Sequence, residues 1–255
     1  MPNYRLNKTE HVDHTNRISF KFDGKTYFGF KGDTLASALL ANGVHLIGRS
    51  FKYHRPRGIM SCGAEEPNAI CQINGSTDLS EPNVRATELE LYEGLEATSQ
   101  NCWPSVNFDI GGINNLISNF IPAGFYYKTF MWPKSFWKNV YEPLIRQSAG
   151  LGKSPTVSDP EIYDHKHVHC DVLVIGGGIS GIMSAKLAAK NNLNTILVDD
   201  KNSLGGSTIY QNNENFKIND EKSKNWLSKE IEQLNKLKNL AIKTRTSLAA
   251  YHSYN

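Results

Sequence analysis

The chain has 255 residues, 39% of them hydrophobic, which is enough for one or two buried cores; a chain of this length is expected to hold about two domains. Its 28 basic and 25 acidic residues leave a net charge of only +3, and the cations are scattered, which argues against nucleic acid or an anionic membrane as a partner. No stretch approaches the roughly 20 apolar residues of a membrane helix, the segment MPNYRLNKTEHVDH has no apolar signal core, and four cysteines without CxxC spacing read as reduced thiols, so a cytoplasmic protein is expected.

A tail of residues 1–16 precedes the first patterned segment. From Arg17, Ile18, Phe20 and Phe22 alternate with polar residues, Asp23-Gly24 marks a turn, and Thr26, Phe28 and Phe30 continue the alternation, which predicts a β-hairpin. Asp33 or Thr34 then caps a short helix, LASALLANG, with Leu35, Ala38, Leu39 and Ala41 on its apolar side and Gly43 as its stop. Hairpin, helix and further short strands such as Ala69 to Ile73 resemble a β-grasp domain of the ferredoxin kind over residues 17–100. A ferredoxin loop needs cysteines at CxxxxCxxC spacing, yet reading on from Cys62 the matching positions are Pro67 and Ile70. The expectation is therefore a ferredoxin-like domain without an iron–sulfur cluster.

The loop Gly48 to Gly58, GRSFKYHRPRG, is basic and aromatic. Such residues can contact a phosphate or a carboxylate; a structural surface role, with Glu65 and Glu66 as ion-pair partners, is the favoured reading. Residues 101–166 form a connector dense in large rings, including Trp103, Phe108, Phe120, Phe125, Tyr126, Tyr127, Phe130, Trp132, Phe136, Trp137 and Tyr141, with prolines at 104, 122, 133 and 143 limiting helices to short pieces. The rings call for burial, either between the two domains of the chain or against a partner subunit. His165, His167 and His169 alternate before the next strand, with no acid or cysteine at ligand spacing, so no metal site is expected.

Residues 167–255 carry the strongest signal. Val172 to Ile175 is a β-branched apolar run typical of a parallel strand. Gly176 permits a tight turn, Gly178 lets the backbone approach a diphosphate, and Gly181 lets the helix opened by Ile179 and Ser180 pack close to the strand. The anion would sit on that helix N-terminus. A second strand, Thr195 to Val198, ends in Asp199 and Asp200; Asp199 stands 23 positions after Gly176, where an acid would accept hydrogen bonds from ribose hydroxyls. Two carboxylates disfavour a 2′-phosphate, leaving NAD or FAD rather than NADP. The Gly205-Gly206 turn resembles the LGG element of two-dinucleotide-binding flavoproteins.

The blocks GDTLASALLANGVHLIGRSFKYHRPRGIMSCGAEEPNA, NCWPSVNFDI, PAGFYYKTFMWP and VIGGGISG, in this order, are similar to the N-terminal part of the α subunit of heterotetrameric sarcosine oxidases. The resemblance runs from about Arg17 to the end. It implies an α+β domain without a cluster, the aromatic connector and an incomplete Rossmann-like α/β domain that binds NAD. It further implies FAD and FMN in an assembly with β, γ and δ subunits, oxidative demethylation of sarcosine to glycine with peroxide formation, and one-carbon transfer to tetrahydrofolate in a region beyond this sequence. Gly176, Gly178, Gly181, Asp199 and the Gly205-Gly206 turn carry over as NAD contacts, while no catalytic residue is assigned. A two-dinucleotide-binding fold needs further strands after the helix with Trp226, Ile231 and Leu234 and the strand near Ala241, so a fragment inactive by itself is expected. Two other readings stay open: the α subunit of a related amine or opine dehydrogenase, and a non-catalytic dinucleotide-binding or scaffold module.

Overall fold

The computed structural model describes residues 4–5, 12–74, 78–120, 124, 130–210 and 216–252. The chain divides into two units, Met1–Glu161 and Ile162–Asn255.

The first unit is built on a five-stranded mixed sheet. The predicted hairpin is formed by β1 (Asp13–Phe22) and β2 (Lys25–Lys31), paired antiparallel from Arg17↔Phe30 to Phe22↔Lys25. Asp23 and Gly24 make the turn with φ of 48° and 75°, the left-handed pair that suits the twist of a two-residue hairpin. Helix α1 (Leu35–Ala41) is capped by Thr34, whose hydroxyl accepts the Ser37 N–H while the Ser37 hydroxyl accepts the Thr34 N–H. Two short strands follow, β3 (Gly48–Arg49) and β4 (Pro56–Arg57), paired antiparallel as a small separate hairpin. The strands β5 (Ile70–Ile73), β6 (Glu81–Arg85) and β7 (Glu96–Ser99) complete the main sheet in the order β2-β1-β7-β5-β6, with β7 parallel to β1 and the other pairs antiparallel.

The alternation in β1 explains the core. Ile18, Phe20 and Phe22 point to the side covered by Leu35, Ala38 and Leu39 of α1, and Cys71, Leu95 and Ala97 close the layer. Fully burying side chains of this size contributes about 1.5–3 kcal/mol each. Asp33, 1% exposed, ties the N-terminal segment to this core: its carboxylate accepts both Arg5 guanidinium N–H groups, the Ser37 hydroxyl and the Phe30 N–H.

Between β7 and residue 150 the described residues make short helical pieces. These are a 3-10 turn at Ile110–Gly112 running into α2 (Ile113–Leu116), two more 3-10 turns at Ser118–Phe120 and Lys134–Phe136, a π-turn at Trp137–Tyr141, and α3 (Glu142–Ser148), whose first turn holds Pro143. Within this chain Trp103 is 68% exposed, Phe108 70% and Trp132 83%, while Phe130 and Tyr141 are half-buried. Phe125, Tyr126, Tyr127, Pro122 and the side chain of Phe120 lie outside the described residues.

The second unit is a three-stranded parallel sheet of β8 (Val172–Ile175), β9 (Thr195–Val198) and β12 (Leu240–Lys243), in the order β12-β9-β8, with a minor hairpin of β10 (Lys217–Ile218) and β11 (Glu221–Lys222). Helices α4 (Ile179–Lys190) and α5 (Ser223–Asn235) follow the first two strands. This is the 3-2-1 order of a Rossmann half. Ile182, Ala185, Leu197, Leu204, Trp226, Leu227 and Leu234 form its core. Leu173 and Ile175 remain about half exposed because, among the described residues, no layer covers that face of β8. No described helix is long and apolar enough to cross a membrane.

Candidate dinucleotide site

The turn from β8 into α4 is the most constrained backbone of the second unit. Gly176 adopts φ of 94° and its N–H donates to the Val198 carbonyl at 2.8 Å, so the first glycine of the turn is pinned to the end of the neighbouring strand. A Cβ built on Gly181 would lie 1.8 Å from the Gly176 carbonyl oxygen, so the first turn of α4 sits directly against the loop backbone. Gly178, at the helix N-cap, differs: a Cβ there would meet nothing within 4 Å. The open position is where a ligand would approach, and the closed ones hold the turn in place.

No side chain caps α4. The N–H groups of its first turn, contributed by Ile179, Ser180 and Gly181, therefore lack intrahelical acceptors and face outward at the positive end of the helix. Ile179 is half-buried against the core and Ser180 is exposed. The second glycine pair backs the first: Gly205 N–H donates to the Gly177 carbonyl at 2.8 Å, and a Cβ on Gly206 would lie 3.1 Å from the Gly178 Cα. The structure thus brings Gly176, Gly178, Gly181, Gly205 and Gly206 to one place.

Asp199 and Asp200 part company. Asp199 is buried, and its carboxylate accepts the Gly177 N–H at 2.5 Å and the Lys201 N–H at 2.8 Å, while Asp200 is exposed. Asp199 thus braces the glycine turn from below. Gly177 escaped the sequence reading, although a Cβ there would come within 2.3 Å of Leu204 and 2.8 Å of the Asp199 carboxylate. Its signal was a glycine in the middle of three in a row, at a position where a GxGxxG pattern does not require one. Thr208 was also missed; its hydroxyl is buried without a hydrogen-bond partner among the described residues.

Residues 171–247 match a family model described as FAD dependent oxidoreductase, and residues 15–102 one described as 2Fe-2S iron-sulfur cluster binding domain. Over all 255 residues the chain is 48% identical to sarcosine oxidase subunit alpha of Rhizobium meliloti (strain 1021). The chain belongs to the sarcosine oxidase subunit alpha family. It is also 31% identical, over 198 residues and 77% of its length, to the sarcosine oxidase subunit alpha of Corynebacterium sp. (strain U-96). It spans about a quarter of the length of the first relative and 16% of the second, and corresponds to an N-terminal part of that subunit. Among solved structures it resembles L-proline dehydrogenase from P. horikoshii, with a TM-score of 0.55 and 18% identity over 95% of this chain and 36% of the other. That likeness shows a shared fold.

One cofactor expectation is corrected and another finds no specific support. NAD was expected in the second unit; the match there is to a family described as FAD dependent oxidoreductase, which supports a flavin and does not single out NAD. Strand, glycine turn and terminal acid are common to both nucleotides, which is why the local pattern did not separate them. The cluster-free reading of the first domain is overturned by its match to a two-iron cluster-binding family; a cysteine spacing tested against one ferredoxin pattern was too narrow a ground. As to fit, Cys62 is exposed, Cys102 is half-buried, and burial pushes the Cys71 thiol up to about 12. No group of three or more His, Cys, Asp or Glu able to hold a metal occurs among the described residues. The described side chains do not assemble the four thiolates of such a cluster.

The structure also corrects the reading of Glu66. It does not pair with the 48–58 loop. It is 1% exposed, and its carboxylate accepts N–H groups from Met60, Ser61, Asn68 and Ala69 at 2.6–3.1 Å. Burial opposes ionisation of Glu66, yet these four donors hold its carboxyl below the ordinary glutamate value.

Proposed function

We propose that the second unit binds the adenosine diphosphate portion of FAD in an oxidoreductase subunit acting on an N-methyl amine. The observation that carries this reading is the contrast at the glycine turn: room at Gly178 beside an uncapped helix N-terminus, and closed packing at Gly177 and Gly181. FAD, when bound, supplies the two-electron acceptor. The chain's own part is binding. First-turn N–H groups of α4 receive the diphosphate, Gly178 allows its close approach, the Gly205-Gly206 turn supports that loop, and Asp199 holds Gly177 in place. Asp200, exposed at the end of β9, is positioned to accept a ribose hydroxyl.

The relatives' names point to sarcosine as the amine and to further subunits as partners. The reading is then that this chain serves oxidative demethylation of sarcosine to glycine inside a multi-subunit enzyme. Titration of the full-length subunit with FAD, and separately with NAD, tests the nucleotide. Thermal stabilisation by micromolar FAD that is lost in Gly178→Ala supports the proposal. Stabilisation by NAD with no response to FAD, or by neither, defeats it.

A further inference from the structure

Within the first unit the 48–58 loop and the 101–117 segment lock into one platform. Arg49 donates from Nε and Nη2 to the Val106 carbonyl at 2.8 and 2.6 Å and from Nη1 to the His54 carbonyl at 3.2 Å. His54 Nδ1 lies 2.6 Å from one oxygen of the Asp109 carboxylate, and the other oxygen accepts the N–H groups of Trp103 and Gly111. Arg55 Nε donates to Asn115 Oδ1, and Asn114 donates to the Lys52 carbonyl. These bonds join two segments distant in sequence, so the platform's shape is set before anything docks on it.

The same bonds decide what the platform presents. Asp109 is the single acid in the two segments, and its side chain is 1% exposed against His54. The cations at the surface are Arg55, 4.8 Å from the Tyr53 ring centroid, and Arg57, both exposed. The same two segments expose Phe51 (64%), Trp103, Phe108, Ile113 and Leu116 (82%). Apolar side chains this large and this exposed, on two segments bonded to each other, are unusual on a surface that meets only water. Aromatic and aliphatic residues with arginine beside them match the composition of protein interface centres.

We propose that this platform docks another protein subunit whose contacting face places Asp and Glu side chains around an apolar centre. Charge complementarity selects that partner: the two segments carry exposed arginines and no accessible carboxylate of their own, so an acidic face is attracted and oriented while a basic one is repelled. The abundance of apolar side chains beside the two exposed arginines favours a protein over a nucleic acid, whose phosphates call for a cationic stripe.

The inference rests on the multi-subunit reading, and the test separates the two. The full-length subunit is co-expressed with its companion subunits and carries photoreactive benzoylphenylalanine at Phe108 or at Leu116. Ultraviolet light is expected to join these positions to a companion, through a peptide containing several Asp or Glu residues. Arg57→Glu is expected to cut the adduct yield at least tenfold, and Arg57→Lys to restore it, with the far-ultraviolet circular dichroism of both unchanged. Failure of any companion to co-purify with the unaltered subunit would sink the multi-subunit reading itself. Co-purification with adducts only within the same chain, to nucleic acid or to a peptide lacking acids would overturn the docking assignment alone.

Discussion

Adding one methyl group at each of two neighbouring glycines separates scaffold from binding in the second unit. In Gly181→Ala the new Cβ would lie 1.8 Å from the Gly176 carbonyl oxygen, so α4 or the turn must retreat by about 1.2 Å to restore a 3.0 Å separation. Neither yields easily, because Gly176 is pinned by its hydrogen bond to Val198 and α4 is anchored by buried Ile182 and Ala185. Overpacking of this kind costs about 1–3 kcal/mol, and in a unit of this size each kcal/mol lowers the midpoint by about 4–8 °C. In Gly178→Ala the methyl enters open space on backbone with φ of −71°, which any residue adopts; a weaker N-cap is the only loss, within about 1 kcal/mol. The ligand responses should run the other way: Gly178→Ala melts like the unaltered protein yet gains no stability from FAD. Urea unfolding followed by fluorescence of Trp226, the tryptophan in the core of this unit, reads the first effect, and FAD-dependent thermal shift reads the second. A Gly181→Ala protein with an unchanged urea midpoint, or a Gly178→Ala protein that still responds to FAD, would refute the reasoning.

Glu66→Gln should cost about 2–3 kcal/mol, because a neutral amide accepts hydrogen bonds more weakly than the carboxylate and turns an N–H₂ toward backbone donors. The Glu66 carboxyl is depressed in the folded protein, so its stabilisation is complete above the ordinary glutamate value of 4.5 and fades as pH falls through the lower folded value. Acid unfolding curves should therefore slope less steeply in that window for Glu66→Gln than for the unaltered protein. Asp199→Asn places an amide N–H₂ against the Gly177 or Lys201 N–H and should destabilise the second unit by about 1–3 kcal/mol, together with a weaker FAD response; equal midpoints and equal responses would count against the bracing role. Exposed Cys62 should react with a thiol reagent at pH 8 within minutes, whereas Cys71, buried and with its thiol pushed up to about 12, should react only after denaturation. Mass spectrometry of the labelled peptides distinguishes them.

Much of the architecture was legible because it rests on local rules. Alternating Ile18, Phe20 and Phe22 around Asp23-Gly24 specify a hairpin with one buried face, and Thr34 with Ser37 caps the helix that covers it. The run Val172 to Ile175 before the glycines specifies strand, turn and helix. Where the sequence misled, the deciding partner was distant or invisible to spacing. Glu66 looked like an ion-pair partner for a basic loop, but the fold wrapped four backbone N–H groups around it. The connector's rings called for burial between domains or against a partner subunit, and the fold holds Trp103 and Phe108 exposed on a platform set by Arg49 and the His54–Asp109 pair.

The sequence by itself determined the presence of a dinucleotide-type glycine turn, since a strand, three spaced glycines and a terminal acid are set by backbone sterics within some 30 residues. Only the tertiary structure decided what each member of that motif does. Gly178 is the open position and Gly177 an enclosed one, because Leu204 and Asp199 arrive from the end of the next strand and the loop after it. Asp199 and Asp200 are adjacent in sequence, but side chains at the end of a strand turn to opposite sides, and so one braces the turn while its neighbour faces solvent.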